Sequence, residues 1–220
     1  MKSKKPELNV RKGPTQERSK ATFSLILETT TRFLEKWNLD QLSTNKIAEH
    51  AGISIGSLYQ YFPSKEAILK SLLELYIKRE NAIIVKELDK FTSREKTLTF
   101  YEAIDIIIGA CLESKIKQKK LSKIVAQHFL GLMNAEYVTK LDENLMELIK
   151  NHIFIHQNEL RKQDLDLGIF LALQIVKVIP FTVLFHQKWE LSDPLLRKEI
   201  VNLVFVALTK RLPVASTGIN

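Results

Sequence analysis

At 220 residues the chain has room for one large domain or two small ones, and its 45% hydrophobic and 26% charged residues are those of an ordinary soluble globular protein. A single cysteine, Cys111, excludes an intrachain disulfide framework and fits a reducing cytoplasm. The net charge of +8 points to an anionic partner, nucleic acid first, and only 7 Gly and 6 Pro leave long uninterrupted stretches that favour an all-helical fold.

Seven lysines and arginines lie within residues 1–20 against Glu7 and Glu17, so residues 1–14 read as a flexible basic arm. No signal peptide is expected, because the first apolar run comes after residue 20 and is amphipathic. From Thr15 to about Lys36, Phe23, Ile26, Leu27, Phe33 and Leu34 recur at the helical period, and Asn38 ends the helix. Ser43 then reads as the N-cap of a two-turn helix, Thr44 to Ala51, that buries Ile47, Ala48 and Ala51. Gly52 supplies its left-handed end.

The next stretch, SIGSLYQYF (Ser54–Phe62), is short and two-faced. Ile55, Leu58 and Phe62 fall at i, i+3 and i+7 on one side, and two tyrosines one residue apart cannot both join them. Pro63 breaks the chain, and Ser64 caps a long helix through Ile68, Leu69, Leu72, Leu75 and Tyr76 toward Leu88. Short helices joined by a tight Gly turn are the signature of a helix-turn-helix. Residues 15–62 are therefore expected to form that module and residues 63–90 a connecting helix.

Residues 91–220 are expected to be a larger helical domain. Thr92 and Glu95 read as a capping box for a helix through Leu98, Tyr101, Ile104, Ile107 and Ile108. Further helices are expected at about 121–133, 138–162, 166–189 with a kink at Pro180, and from Pro194 to about Leu212. Leu167–Phe185 is long enough to span a bilayer, but Lys177 at its middle costs roughly 2.5–3.5 kcal/mol on insertion scales. With Gln174 and Pro180 beside it, a bundle helix and no membrane partner are expected.

LSTNKIAEHAGISIGSLYQYFPSKEAIL (Leu42–Leu69) resembles the DNA-binding module of TetR-family transcriptional regulators, and the resemblance is specific over about Thr15–Tyr76. It implies an all-α protein with an N-terminal three-helix DNA-binding domain, followed by a larger helical domain that binds a small ligand and forms a homodimer. By the same resemblance Thr44, Tyr59, Tyr61 and Lys65 match phosphate- or base-contacting positions. Asn45, Ile55, Gly56 and Ser57 match positions that approach base edges.

The residue chemistry runs in the same direction. Gln60 can pair with adenine edges, Ser57 with several acceptors, and Ser43, Thr44 and the cap Ser54 stand at helix N-termini where phosphate binds. Lys65 opposes the macrodipole of its own helix, which makes sense beside a DNA phosphate. Plainer readings stand next to these: Ser43 as a cap only, Lys65 as a solvated charge, and Ile55 and Tyr59 as core.

In the second domain Phe129, Met133, Phe154, Phe170, Phe181 and Phe185 are candidates to line an apolar effector cavity. Gln174, Lys177 and His186 are candidates for its polar contacts. Leu195, Ile200, Leu203, Val204, Ala207 and Leu208 give the last helix a broad apolar surface, assigned to the dimer interface. His152 and His156 stand at i, i+4 without a following Glu or a third ligand, so no metal is expected. The Gly-rich phosphate loops and nucleophile–base arrangements are missing from the sequence, so neither cofactor nor enzymatic activity is expected.

The expectation is a dimeric regulator, a repressor released from an inverted-repeat operator in double-stranded DNA by a small apolar or amphipathic effector. The alternative is a helix-turn-helix protein whose second domain serves only dimerisation or protein contacts.

Overall fold

The computed structural model describes residue 10 and residues 17–93, 98–132 and 135–209. Within these the chain is helical, with no strand among the described residues: α1 (Glu17–Lys36), a 3-10 turn (Leu39–Gln41), α2 (Thr44–Ala51), α3 (Ile55–Tyr61), α4 (Lys65–Ser93), α5 (Phe100–Lys117), α6 (Lys119–Leu132), α7 (Ala135–Ile153), a second 3-10 turn (Phe154–His156), α8 (Leu165–Val183) and α9 (Pro194–Thr209). The expected all-α class holds.

Two compact units emerge. One takes the chain through Lys78 together with residues from Lys123 in α6; the other takes Arg79–Ser122 and the chain from Ala135 onward. The connecting helix α4 is therefore shared, its first half in one unit and its second half in the other.

In the first unit Ile26, Leu34, Ile47, Leu58, Phe62 and Ile68 are fully buried, and α1, α2, α3 and the start of α4 each supply at least one. The local signals read from sequence act as expected. Ser43 Oγ accepts the Lys46 backbone N–H at 3.3 Å, and Gly52 adopts φ 65° with its N–H turned to the Ala48 and Glu49 carbonyls. A left-handed residue at that place ends α2 within one step, leaving a short link to α3.

In the second unit α5, α8 and α9 pack around Ile104, Ile108, Ile169, Leu173, Ile200 and Val204, with α7 and the second half of α4 closing the core. Gly168 makes the α8–α9 approach possible: a Cβ there would lie 2.5 Å from the Ala207 carbonyl oxygen. Arg197 grips Asp105 with two N–H bonds of 2.7 and 2.8 Å, tying α9 to α5. The bilayer-length helix α8 has a mean hydropathy of 1.7 over its most apolar window, and Ile169, Ala172, Leu173, Val176 and Val183 are its buried contribution to this core.

Several expected boundaries move. The capping box is Thr99–Glu102, not Thr92–Glu95, because α4 continues through Ser93; Glu95 lies outside the described residues. Glu102 accepts from the Thr99 backbone and hydroxyl at 2.8 Å each, which holds its carboxyl below the usual range. The helix expected to reach 162 gives way to a 3-10 turn at Phe154. α8 stops at Val183 rather than at residue 189. Residues 210–212, the expected end of the last helix, fall outside the described region.

Candidate nucleic-acid interface and apolar cavity

Seven residues are too few to hold a helix in water, so α3 exists by its attachments. Leu58 and Phe62 are both fully buried, and Phe62 stacks on Phe23 of α1 with ring centroids 4.8 Å apart. The N-terminal turn stands clear of the core: Ser54, Ile55 and Gly56 are all exposed. Ile55 is 38% exposed, so the stripe read from sequence fails at its first member. Burial needs a facing partner as well as the right phase, and only the last turns of α3 meet one.

Asn45, Ile55, Gly56, Tyr59 and Gln60 present an open face from α2 and α3. Nothing but Ser54 Oγ, at 3.9 Å, would meet a Cβ added at Gly56. The protein's own packing therefore does not ask for glycine there. Ser54 Oγ accepts the Ser57 N–H at 3.1 Å and pairs with the Ser57 hydroxyl at 2.8 Å, so the half-buried Ser57 is drawn back toward the cap.

The two tyrosines differ in a way the sequence did not show. Tyr59 is 40% exposed and its hydroxyl meets Thr44 Oγ1 at 3.1 Å, which joins the start of α2 to α3. Tyr61 is half-buried, edge-on to Phe23 at 6.5 Å, and accepts a hydrogen bond from Ser19 at 3.1 Å. Tyr61 thus anchors α3 to α1. Ser19 and Phe23 were missing from the sequence reading because their partners lie some forty residues along the chain.

At the next helix start Ser64 Oγ accepts the Ala67 N–H at 3.1 Å, and Lys65 occupies the first turn, half-buried. The N-termini of α2 and α4 thus each carry a capping serine whose oxygen accepts one N–H, at the positive end of the helix dipole.

The second unit contains a cavity of about 70 Å³, lined only by apolar side chains, among them Ile84, Phe91, Phe100, Ile108, Leu173 and Val204. The aromatic residues expected to line it lie elsewhere. Phe154 is 59% exposed, and Phe170 and Phe185 are also exposed. Phe181 is half-buried beneath the Lys115 ammonium, 5.7 Å from its ring centroid. Gln174 and Lys177 both turn to Asp142, Gln174 at 3.4 Å and Lys177 in a close ion pair. His186 is exposed and packs on Trp189 at 4.2 Å. Met133 and the side chain of Phe129 lie outside the described residues.

The expected dimer surface divides in the same way. Ile200, Val204 and Leu208 are buried in their own chain, and Val204 and Leu208 line the cavity. Leu195 and Leu203 are exposed at 65% and 48%, and Ala207 is half-buried. Helical period identifies an apolar residue's phase but not which neighbour the phase faces, and α9 has apolar residues on both sides.

The two histidines at i, i+4 have separate partners. His152 places Nδ1 against the Leu148 carbonyl at 2.7 Å and Nε2 against Asp89 at 2.8 Å. Both partners accept, so the imidazolium is favoured and the pKa rises, chiefly through the Leu148 carbonyl and then through Asp89. His156 turns Nδ1 to Glu159 at 3.0 Å.

Comparison with known proteins gives this geometry a setting. Residues 26–72 match the profile of the bacterial regulatory proteins of the tetR family. Over 57 residues the chain is 46% identical to the HTH-type transcriptional regulator EthR of Mycolicibacterium smegmatis, a match that covers 26% of each protein. It is 23% identical over 181 residues to the HTH-type transcriptional regulator YhgD of Bacillus subtilis, covering 80% of this chain and 88% of that one. Among solved structures, a TetR-family regulator from Mesorhizobium loti superposes with a TM-score of 0.63 at 18% identity, over 87% of this chain and 98% of the other. The fatty acid degradation regulator FadR of Bacillus halodurans does so at 0.60 and 20% identity, over 88% and 96%. At these identities the superpositions establish the fold.

Proposed function

We propose that the chain, whose residues 26–72 match the tetR-family model, is a cytoplasmic TetR-family repressor, binding an inverted-repeat operator as a homodimer and released by a small apolar or amphipathic effector. The observation that carries the DNA half of this reading is the open face of α3. A helix pinned by Leu58 and Phe62 presents Gly56 and Gln60 outward with free space above the glycine, and the half-buried Ser57 beside them, a shape suited to a major groove. Thr44, Tyr59, Tyr61 and Lys65, with Ser43 and Ser54 at the helix starts, are assigned to phosphates, and Asn45 and Ile55 to base edges, where Ile55 suits a thymine methyl.

Dimerisation is assigned to the outward sides of α8 and α9. Leu167, Phe170, Leu171 and Val178 on α8 and Leu195 and Leu203 on α9 are exposed apolar residues that a second copy would cover. Twofold symmetry would then repeat α3 about one DNA turn away, on the order of 34 Å. The effector is assigned to the apolar cavity, acting by binding the DNA-incompetent form more tightly than the competent one.

The cavity's about 70 Å³ also favours a second reading, because a site that holds benzene is about twice that size. In this second reading the helical domain serves dimerisation alone.

Footprinting on the DNA flanking the gene, followed by titration at several salt concentrations, tests the DNA proposal. The expected outcome is protection of an inverted repeat with log affinity falling steeply against log salt. Equal binding to random duplex overturns it. Lys65→Ala should weaken all sequences alike and lower the salt slope by about one, whereas Ser57→Ala and Gln60→Ala should change which sequence is preferred. A compound that raises the melting temperature yet leaves operator binding unchanged favours the dimerisation-only reading.

A further inference from the structure

An all-apolar cavity can hold a hydrocarbon but cannot tell one small apolar molecule from another by hydrogen bonding. A polar group is stacked on two of its lining residues. Phe91 and Phe100 both border the cavity, and the imidazole of His156 stacks on each of them, at 5.0 and 5.2 Å with ring planes 20° and 23° apart. Ile153, three residues earlier at the end of α7, lines the cavity as well.

The tautomer of the neutral imidazole follows from its contacts. Nδ1 lies 3.0 Å from Glu159 Oε1, and an ionised carboxylate only accepts, so Nδ1 carries the proton. In the neutral ring Nε2 is then a bare acceptor, and it is buried with no hydrogen-bond partner among the described residues. His152, one turn earlier, has both of its nitrogens engaged, so the vacancy is particular to His156. Among the described residues of this unit, one other buried acceptor lacks a hydrogen-bond partner: Asn81 Oδ1. Asn81 shares the α4 stripe of Ile84, Leu88 and Phe91, but ten residues before Phe91, on the order of 15 Å away along the axis.

We propose that the cavity takes a slender apolar molecule ending in one hydrogen-bond donor, a hydroxyl or an N–H, and that His156 Nε2 accepts from that end; this rests on the cavity being the effector site. The stacked rings hold the imidazole in place, and Glu159 fixes its tautomer. A carboxylate-ended chain is disfavoured, because it brings an acceptor to an acceptor and a negative charge toward Glu159.

The test uses the full-length chain with hexan-1-ol, n-hexane and hexanoate as probes, each read by the concentration needed for a set rise in Tm. Wild type should require at least tenfold less hexan-1-ol than hexane, with hexanoate the weakest. His156→Phe keeps the ring stack and should bring hexan-1-ol level with hexane. His156→Gln, which restores an acceptor, should recover most of the preference, and Asn81→Leu should leave it intact. Retention of the preference in His156→Phe, its loss in Asn81→Leu, or hexanoate binding best would overturn the proposal while leaving the cavity as the site. Ala172→Leu fills the cavity and should abolish binding of all three. Unimpaired binding in that variant, or no response of wild type to any probe, would overturn the effector-site reading and this inference with it.

Discussion

Gly56 and Cys111 are each explained by what surrounds them. Around Gly56 there is open space, so Gly56→Ala should raise folding stability by roughly 0.5–1 kcal/mol, the usual gain from replacing glycine in a helix. If α3 enters the groove as proposed, the same methyl would stand against the DNA. Operator affinity should therefore fall about tenfold or more while the urea midpoint rises, and a variant with unchanged affinity would show that this face does not meet DNA. Gly52 offers the contrast: its φ of 65° is the reason for glycine, and contact with a partner is not. Cys111 is buried in the second core, and that burial pushes its thiol up to about 11. A thiol reagent at about pH 8 should find no reactive group in the native protein and one after denaturation, since both exposure and thiolate are lacking. Rapid labelling of the native state would contradict the packing of α5.

At the scale of elements, helices are placed by contacts between segments distant in sequence. α3 is held by Leu58, Phe62 and Tyr61, and its short length makes those side chains the condition for a reading face at all. In the second unit His152 joins α7 to α4 through Asp89. Its pKa is raised above the ordinary 6.5, so the stability it contributes is complete below that value and is lost as pH rises through the higher folded value. His152→Gln should consequently be less stable than wild type at about pH 5.5 and nearly equal to it at about pH 8.5, as read by urea midpoints. A difference that is constant with pH would mean that packing, and not the imidazolium, accounts for the contact.

In the whole molecule, under the proposed dimer, a second copy covers the apolar side that α8 and α9 leave exposed. Leu171 and Leu203 are exposed on α8 and α9, so Leu171→Glu with Leu203→Glu should yield a monomer by sedimentation. The monomer should keep its helical content and lose about a hundredfold or more in operator affinity, because each half-site would bind alone. A double variant that stays dimeric would move the interface off these helices. The helix-turn-helix was legible at this scale because its signals are local: Ser43, Gly52, Ser54, Pro63 and Ser64 act within a turn of themselves. The cavity was not legible, since each of its walls comes from a different helix.

The amino-acid sequence by itself determined the helices of the first unit, their caps and the Gly turn between α2 and α3, because capping and backbone freedom depend on neighbours a few residues away. It also determined which residues are apolar in phase. Only the tertiary structure decided which of those phases found a partner. Ile55 and Phe154 were left exposed, Val204 and Leu208 were turned inward to the cavity, Tyr61 was bound to Ser19, and His156 was stacked on two phenylalanines. Those outcomes depend on where distant helices cross, and periodicity along one helix carries no record of the helix that will lie against it.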